Sequence, residues 1–146
     1  SHCFRALRYC GFNVVDNWHS DYMGFSEQGA STTPHRVIVG HINGQSNLRY
    51  AAGNTTDFTG SSSDAGVTCA SNTYTRLGIK CVYDSTDAEW DYTIYINGSS
   101  VATGTLDDDH QLGCQIGLRG VDSSKPTYVD WMKCEFDRDA ITSLSL

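Results

Sequence analysis

The chain has 146 residues, a length typical of one domain that buries a full hydrophobic core without a metal or a disulfide. Its formal net charge is −7 and its 10 basic residues are scattered singly. The sequence therefore predicts no nucleic-acid partner, because affinity for phosphates comes from clusters of Lys and Arg. The sequence also lacks the run of about 18 apolar residues that a membrane-spanning helix needs, so no membrane insertion is expected.

The composition favours strands and turns over helices. The chain has 14 Gly and only 2 Pro, together with abundant Ser, Thr, Tyr and Val. No apolar pattern at i, i+3, i+4 and i+7 persists beyond a turn or two. We therefore expect an all-β fold in a single domain over residues 1–146. The first residues, Ser1-His2-Cys3, lack a starting Met, so the sequence is interpreted as a mature or excised module of a larger protein.

In the first half, strands are predicted where apolar residues alternate or cluster between turn signals. The predicted strands are residues 3–10, a short strand at 22–26 within an irregular segment, 36–42 ended by the turn signal Asn43-Gly44, and 48–52. Residues 53–72 are rich in Gly, Ser, Thr and Asp. Their composition predicts an exposed loop with a potential functional role.

The second half carries the clearest alternation. Its predicted strands are residues 74–83, 90–97, 101–105, 111–119 and 127–137, and Asn97-Gly98 predicts a tight hairpin turn. The first of these has one wet face with Arg76, Gly78 and Lys80. The side chains predicted to form the core are Leu77, Ile79, Cys81, Ile94, Ile96, Ile116, Leu118, Met132 and Phe136.

The 6 cysteines allow three interpretations. Cys81, Cys114 and Cys134 fall on the apolar side of their strands, where reduced thiols behave as small hydrophobic side chains. A disulfide-bridged extracellular domain is the second interpretation, because this cysteine content is high for a cytoplasmic protein. A zinc site is the third, although no C-x-x-C spacing occurs.

The second half of the sequence resembles the laminin-G-like and concanavalin A-like jelly-roll superfamily. The resemblance covers a little under half of the chain, and its motifs occur in order at natural spacings. They are Arg76-Leu-Gly-Ile-Lys80, Trp90-x-x-x-Ile94-Tyr-Ile-Asn97-Gly98, Val101-Ala-Thr-Gly104, Ile116-Gly-Leu-Arg119 and Tyr128-Val-Asp-Trp131. The resemblance implies a two-sheet antiparallel jelly-roll sandwich, the fold of lectins, of accessory domains of glycosidases, and of capsid, fibre and tail modules of tailed phages.

Catalysis is not expected. Members of this superfamily that cut β-glucans carry paired carboxylates on one strand, spaced Glu-x-Asp-x-x-Glu or Glu-x-Asp-x-Glu, and this sequence has no such strand. Glycoside hydrolysis needs two carboxylates held about 5–10 Å apart across a cleft. The acidic residues here lie in loops instead, so we interpret the chain as a non-enzyme.

Two sets of residues are candidates for ligand contact. Asp84, Asp87 and Glu89 could hold Ca²⁺, a cation that prefers oxygen ligands, and the alternative is a solvated acidic turn. Trp131, Trp18 and Tyr22 could stack on a sugar ring, and the alternative is that they pack within the protein or against a neighbouring subunit. Val129 and Trp131 are expected to share one side of the last strand, because two residues separate them.

The sequence favours a non-catalytic structural or binding module of a larger assembly, namely a phage virion decoration, fibre or tail-appendage domain. Its expected partners are neighbouring capsid proteins or cell-surface glycans, with association into a homo-oligomer also allowed. The second hypothesis is a secreted carbohydrate-binding lectin module that depends on Ca²⁺. Both hypotheses place the protein on a virion surface or outside the cell.

Overall fold

The computed structural model describes residues 3–12, 19–27, 35–42, 44–54, 58–69, 73–106, 112–120 and 128–136. Side chains are described for residues 22–27, 35–42, 44–54, 58, 60–69, 75–106 and 112–113. The statements that follow concern these parts of the chain.

Two antiparallel sheets of five strands each form the described structure, so the predicted all-β class is confirmed. Sheet I has the strand order β10-β1-β6-β7-β8, and sheet II has the order β5-β4-β3-β2-β9. The strands are β1 Cys3–Phe12, β2 His19–Glu27, β3 His35–His41, β4 Asn47–Asn54, β5 Ser63–Thr68, β6 Thr73–Asp84, β7 Glu89–Ile96, β8 Ser99–Leu106, β9 Leu112–Gly120 and β10 Tyr128–Phe136. A four-residue helix, α1, spans Phe58–Ser61. No helix in the described ranges has the length and apolarity to cross a bilayer.

The two sheets pack face to face around one apolar core. Strands β2 and β3 of sheet II contact β6 of sheet I, and side chains from both inner faces are buried together. The largest contributors are Met23, Phe25, Val37, Val39 and Leu48 from sheet II and Leu77, Ile79, Ile94, Ile96 and Leu106 from sheet I. Each side chain of this size contributes about 1.5–3 kcal/mol when it is fully buried. The alternation of apolar residues thus fixes which side of each strand faces inward.

The predicted core is confirmed wherever the structure describes it. Leu77, Ile79, Cys81, Ile94 and Ile96 have at most 2% of their surface exposed. The side chains of the other predicted core residues, Ile116, Leu118, Met132 and Phe136, lie outside the described set. The core also includes residues of the first half that the prediction omitted, among them Phe25 and Val39.

The prediction of a loop over residues 53–72 was wrong in part. Within this range α1 spans Phe58–Ser61, and β5 spans Ser63–Thr68 and pairs with β4. Ala65 and Val67 alternate along β5 and pack against the core. Asp64 reinforces the strand, because it accepts hydrogen bonds from the Gly66 amide at 2.6 Å and from the Asn47 amide group at 3.1 Å. Two small apolar residues among polar ones gave too weak a pattern for a strand prediction.

The hairpin predicted at Asn97-Gly98 is confirmed. Asn97 and Gly98 have φ values of 52° and 88°, the left-handed conformation that a two-residue hairpin turn requires and that Asn and Gly adopt most readily. The Asn97 side-chain oxygen also accepts a hydrogen bond from the Arg76 amide at 3.0 Å. The turn is therefore fixed both to its own hairpin and to the neighbouring strand β6.

Gly104 on β8 lies opposite Tyr92 on β7, which packs against the core. A Cβ atom at Gly104 would lie 2.5 Å from the Tyr92 hydroxyl oxygen and 2.8 Å from Cζ. We expect Gly104→Ala to lower the free energy of unfolding by about 1–3 kcal/mol, as other overpacked sites do. Chemical denaturation checks the value.

Thr103→Ala, on the exposed side of the same strand, is the matched control and should change stability by less than about 0.5 kcal/mol. In a Tyr92→Leu background, the cost of Gly104→Ala should fall because the ring that it meets is gone. An equal cost in both backgrounds would contradict the proposed clash.

Candidate functional site

Side chains on the outer surface of sheet I are accessible throughout the described strands. We call this surface the open face. Its residues alternate with the buried residues of β6, β7 and β8, and apart from the buried Gly78 each described member is exposed or half-buried. They include Arg76, Lys80, Val82, Asp91, Thr93, Tyr95, Ser100, Thr103 and Thr105. The wet face predicted for residues 74–83 is confirmed at Arg76 and Lys80, whereas Gly78 is buried.

Tyr95 is the described aromatic residue of the open face. Tyr95 of β7 pairs with Gly78 of β6, which has no side chain to cover the ring. Lys80 pairs with Thr93 two residues further along the same two strands. The half-buried ring is thus flanked by hydroxyl and ammonium groups on one surface. Such a combination of an apolar ring with hydrogen-bonding groups fits a protein contact or a sugar ring.

Trp131 lies on β10, which belongs to the same sheet. In backbone register it is opposite Tyr9 of β1, and Tyr9 is opposite Arg76 of β6. A register shift in β10 places Val129 opposite Cys10, the residue next to Tyr9, and the predicted relation between Trp131 and Val129 stays a prediction. An irregularity of this kind adds one residue to a strand and interrupts the alternation. The side chain of Trp131 lies outside the described set.

Tyr22, the second predicted ligand residue, lies in sheet II and belongs to a buried apolar group. This group, which we call the covered cluster, consists of Ile38, Ile42, Ala51 and Phe58, with Tyr22 packed against them. The rings of Tyr22 and Phe58 are 5.5 Å apart at 56°. The structure thus assigns Tyr22 and Trp131 to different sheets and does not bring them into one site. Trp18 lies outside the described residues.

Arg49 holds the chain over the covered cluster. Its Nε donates a hydrogen bond to the Ser62 hydroxyl at 3.2 Å, its Nη2 donates to the Ser62 carbonyl, and Nη1 lies 4.0 Å from an Asp64 oxygen. Ser62 follows directly after α1, so these contacts keep Phe58 against the outer surface of sheet II. That surface is covered by the chain itself, whereas the described part of the open face is not.

The predicted calcium ligands lie where β6 turns into β7. Residues 85–88 connect β6 to β7, and Asp84 accepts a hydrogen bond from the Thr86 amide at 2.8 Å. Among the residues that the structure describes, no group of three or more His, Cys, Asp or Glu is placed to hold a metal ion. The calcium hypothesis for Asp84, Asp87 and Glu89 therefore stays a prediction from the sequence.

The histidine at the end of β3 is a packing residue. His41 is 1% exposed, and its Nε2 lies 2.9 Å from the Gln45 carbonyl oxygen. At the other end of β3, His35 lies beside Glu27, with 3.5 Å between Nδ1 and Oε2. One contact joins β3 to the turn that follows it, and the other joins β3 to β2.

Tyr95 and the pairing of Lys80 with Thr93 were not among the predicted site residues. The alternation of Ile94 and Ile96 with Tyr95 was the available signal, because an aromatic residue on the wet side of a strand is a candidate for binding.

Scans against models of known families, curated proteins and solved structures give no significant match for this chain.

The hydrogen bonds from the Thr86 amide and hydroxyl hold the pKa of the Asp84 carboxyl below its ordinary value. A lowered folded-state pKa contributes stability above the unfolded-state pKa, and this contribution is lost as the pH falls through the folded-state value. We expect Asp84→Ala to be less stable than the parent at about pH 7, with a difference that shrinks toward about pH 2. Urea denaturation at a series of pH values measures it.

Asp91→Ala removes the same charge from the exposed face without removing the turn contact, and it serves as the control. A stability difference for Asp84→Ala that stays constant over the acid range would contradict the assignment of this pH dependence to Asp84.

Proposed function

We propose that this chain is a non-catalytic module of a larger assembly, a virion decoration, fibre or tail-appendage domain that contacts neighbouring shell proteins or host glycans through its open face. The observation that carries the proposal is the difference between the two outer surfaces. The outer surface of sheet II carries the covered cluster, held by Phe58 and Arg49, whereas the described open face keeps Tyr95, Lys80 and Thr93 accessible.

The chemistry of the open face supports binding over turnover. Its described side chains are hydroxyl groups, one tyrosine, one valine and single charges of both signs. An aromatic ring within a mixed polar surface is typical of the centre of a protein interface and of sugar recognition. The acids predicted to be loop residues include Asp84, which stabilises its own turn. These features support the interpretation of the chain as a non-enzyme.

We infer in addition that the sandwich has jelly-roll topology. Strand β1 pairs with the last strand, β10, in sheet I, and β2 pairs with the next to last strand, β9, in sheet II. The first passage of the chain between the sheets therefore accompanies its last passage, as in a rolled antiparallel ribbon. The same arrangement brings β10, and with it Trp131, into the sheet that carries the open face.

A cross-linking experiment in the native particle tests the proposed contact. A photoreactive side chain at Thr93 places the probe on the open face, and the same group at Gln45, an exposed position between β3 and β4, is the matched control. We expect light-dependent adducts with one neighbouring shell protein from position 93 and none from position 45. Mass spectrometry identifies the adducts. Equal labelling from both positions would contradict the role of the open face.

A glycan array with purified protein distinguishes host glycans from shell proteins as the partner. If glycans are the ligand, Tyr95→Ala should weaken binding by about tenfold or more, the loss that is typical of a central aromatic contact. Tyr83→Phe, a conservative change of a core-packed tyrosine on the other side of sheet I, should leave binding unchanged. The proposed function would be refuted if position 93 gave no adducts and the array showed no glycan binding.

A further inference from the structure

Strand β8 is an edge of sheet I, and its outer side has no hydrogen-bonded neighbour in the described structure. The other three edge strands, β10, β5 and β9, each contain at least one charged residue. β8 has the sequence Ser99-Ser-Val-Ala-Thr-Gly-Thr-Leu106, and among the ten described strands it alone lacks Asp, Glu, Lys, Arg and His. Proteins usually block an exposed edge with charged side chains, proline or irregular pairing. The charges that would repel a further strand are therefore missing from β8.

Sheet II ends beside β8 in an edge of a different kind. Its edge strand β5 contacts β8, but β5 contains Asp64, a register shift relative to β4, and Gly66 in the left-handed conformation with φ 69°. Asp64 also accepts a hydrogen bond from the Gly66 amide at 2.6 Å, so this backbone donor is already used. Such irregularity hinders the addition of a strand. Of the two edges that meet on this side of the sandwich, β8 is the one suited to pairing.

The C-terminal part of β8 is a regular strand. The register of β7 and β8 shifts between Ile94 and Tyr95, which leaves Val101 without a register partner on β7. From Ala102 to Leu106 the pairing is continuous over five residues. Successive residues of a strand direct their backbone groups alternately to its two sides, so some N–H and C=O groups of this run point away from β7. These groups can form a ladder with one further antiparallel strand.

The regular run is nearly symmetric in sequence about Gly104. Thr103 and Thr105 flank the glycine and are exposed on the open face, whereas Ala102 and Leu106 pack on the side of the core. In an antiparallel pair of two copies centred on Gly104, Thr103 of each copy is opposite Thr105 of the other. Ala102 is then opposite Leu106, a small residue facing a large one. Thr–Thr pairs stabilise a ladder, and small residues opposite large ones avoid crowding.

We propose that a second copy of this chain binds along β8, so that the two copies of sheet I join into one continuous antiparallel sheet. The self-complementary run favours a second copy over a different chain. Two copies of net charge −7 repel each other, and a contact through a strand without charges keeps that repulsion smallest. A two-fold axis at Gly104 closes the dimer, because each β8 then covers the other. The dimer needs neither a shell protein nor a glycan, so this inference goes beyond the proposed function and does not depend on it.

Sedimentation equilibrium of the purified protein tests the dimer. A contact through one short strand is smaller than a standard interface, so we expect a Kd between about 10 μM and about 1 mM. Thr103→Lys combined with Thr105→Lys places like charges opposite each other in both threonine pairs and should weaken the dimer about tenfold. Gln45→Lys combined with Thr93→Lys adds the same charge at exposed or half-buried positions away from this edge. This control should keep the Kd of the parent.

Charge complementation tests the register. Thr103→Glu combined with Thr105→Glu should also weaken the dimer, and a mixture of the glutamate and lysine variants should form a heterodimer at least as tight as the parent dimer. Amide hydrogen exchange over residues 102–106 should slow as the concentration of the parent rises. A parent that stays monomeric at about 1 mM, equal weakening in the control variant, absence of the heterodimer, or exchange over 102–106 that does not depend on concentration would overturn the proposal.

Discussion

Burial of one side of each sheet against the other is the constraint on which the rest of this structure depends. Residues such as Val39 in sheet II and Ile79 in sheet I are fully or almost fully buried between the sheets, and the two-residue period of a strand then directs their neighbours outward. The outer surfaces are thus a consequence of the core. A shift of one residue in any strand would exchange buried and exposed residues, which makes the register strongly specified.

The two outer surfaces diverge because the chain covers only one of them in the described structure. The segment between β4 and β5 returns over sheet II, where Phe58 buries Ile38 and Ala51 and Arg49 fixes Ser62. The outer surface of sheet I has Tyr95 and Lys80 in place of such a cluster. Local burial therefore reduces the candidate contact surface to one sheet. Tyr22, which the sequence predicts as a ligand residue, packs against the covered cluster on the other sheet.

Local patterns predicted the strands that alternate strongly, and they failed where long-range pairing decides the structure. The alternation from Leu77 to Cys81 and the Asn97-Gly98 turn are local signals, and both are confirmed. Strand β5 pairs with β4, and Asn47 of β4 binds Asp64 of β5 across 17 positions of sequence. Nothing local indicates that pairing. The register shift near Val129 likewise depends on the partner strand. The open face was predictable in part: alternation indicated its wet side, but not that the described segments leave it uncovered.

Residue type alone does not assign a role to the two arginines of sheet II, because the surroundings of the guanidinium differ between the two positions. Arg49 is surrounded by the Ser62 oxygens and Asp64 and closes a loop. Arg36 lies between Gly53 and Ser26 in the register of sheet II, and its Nε is shielded from solvent without a hydrogen-bond partner. In a chain of net charge −7, acids are plentiful enough to pair with every cation. Strand register and burial, and not residue type, therefore separate Arg49, whose nitrogens contact Ser62 and Asp64, from Arg36, whose shielded Nε has no hydrogen-bond partner.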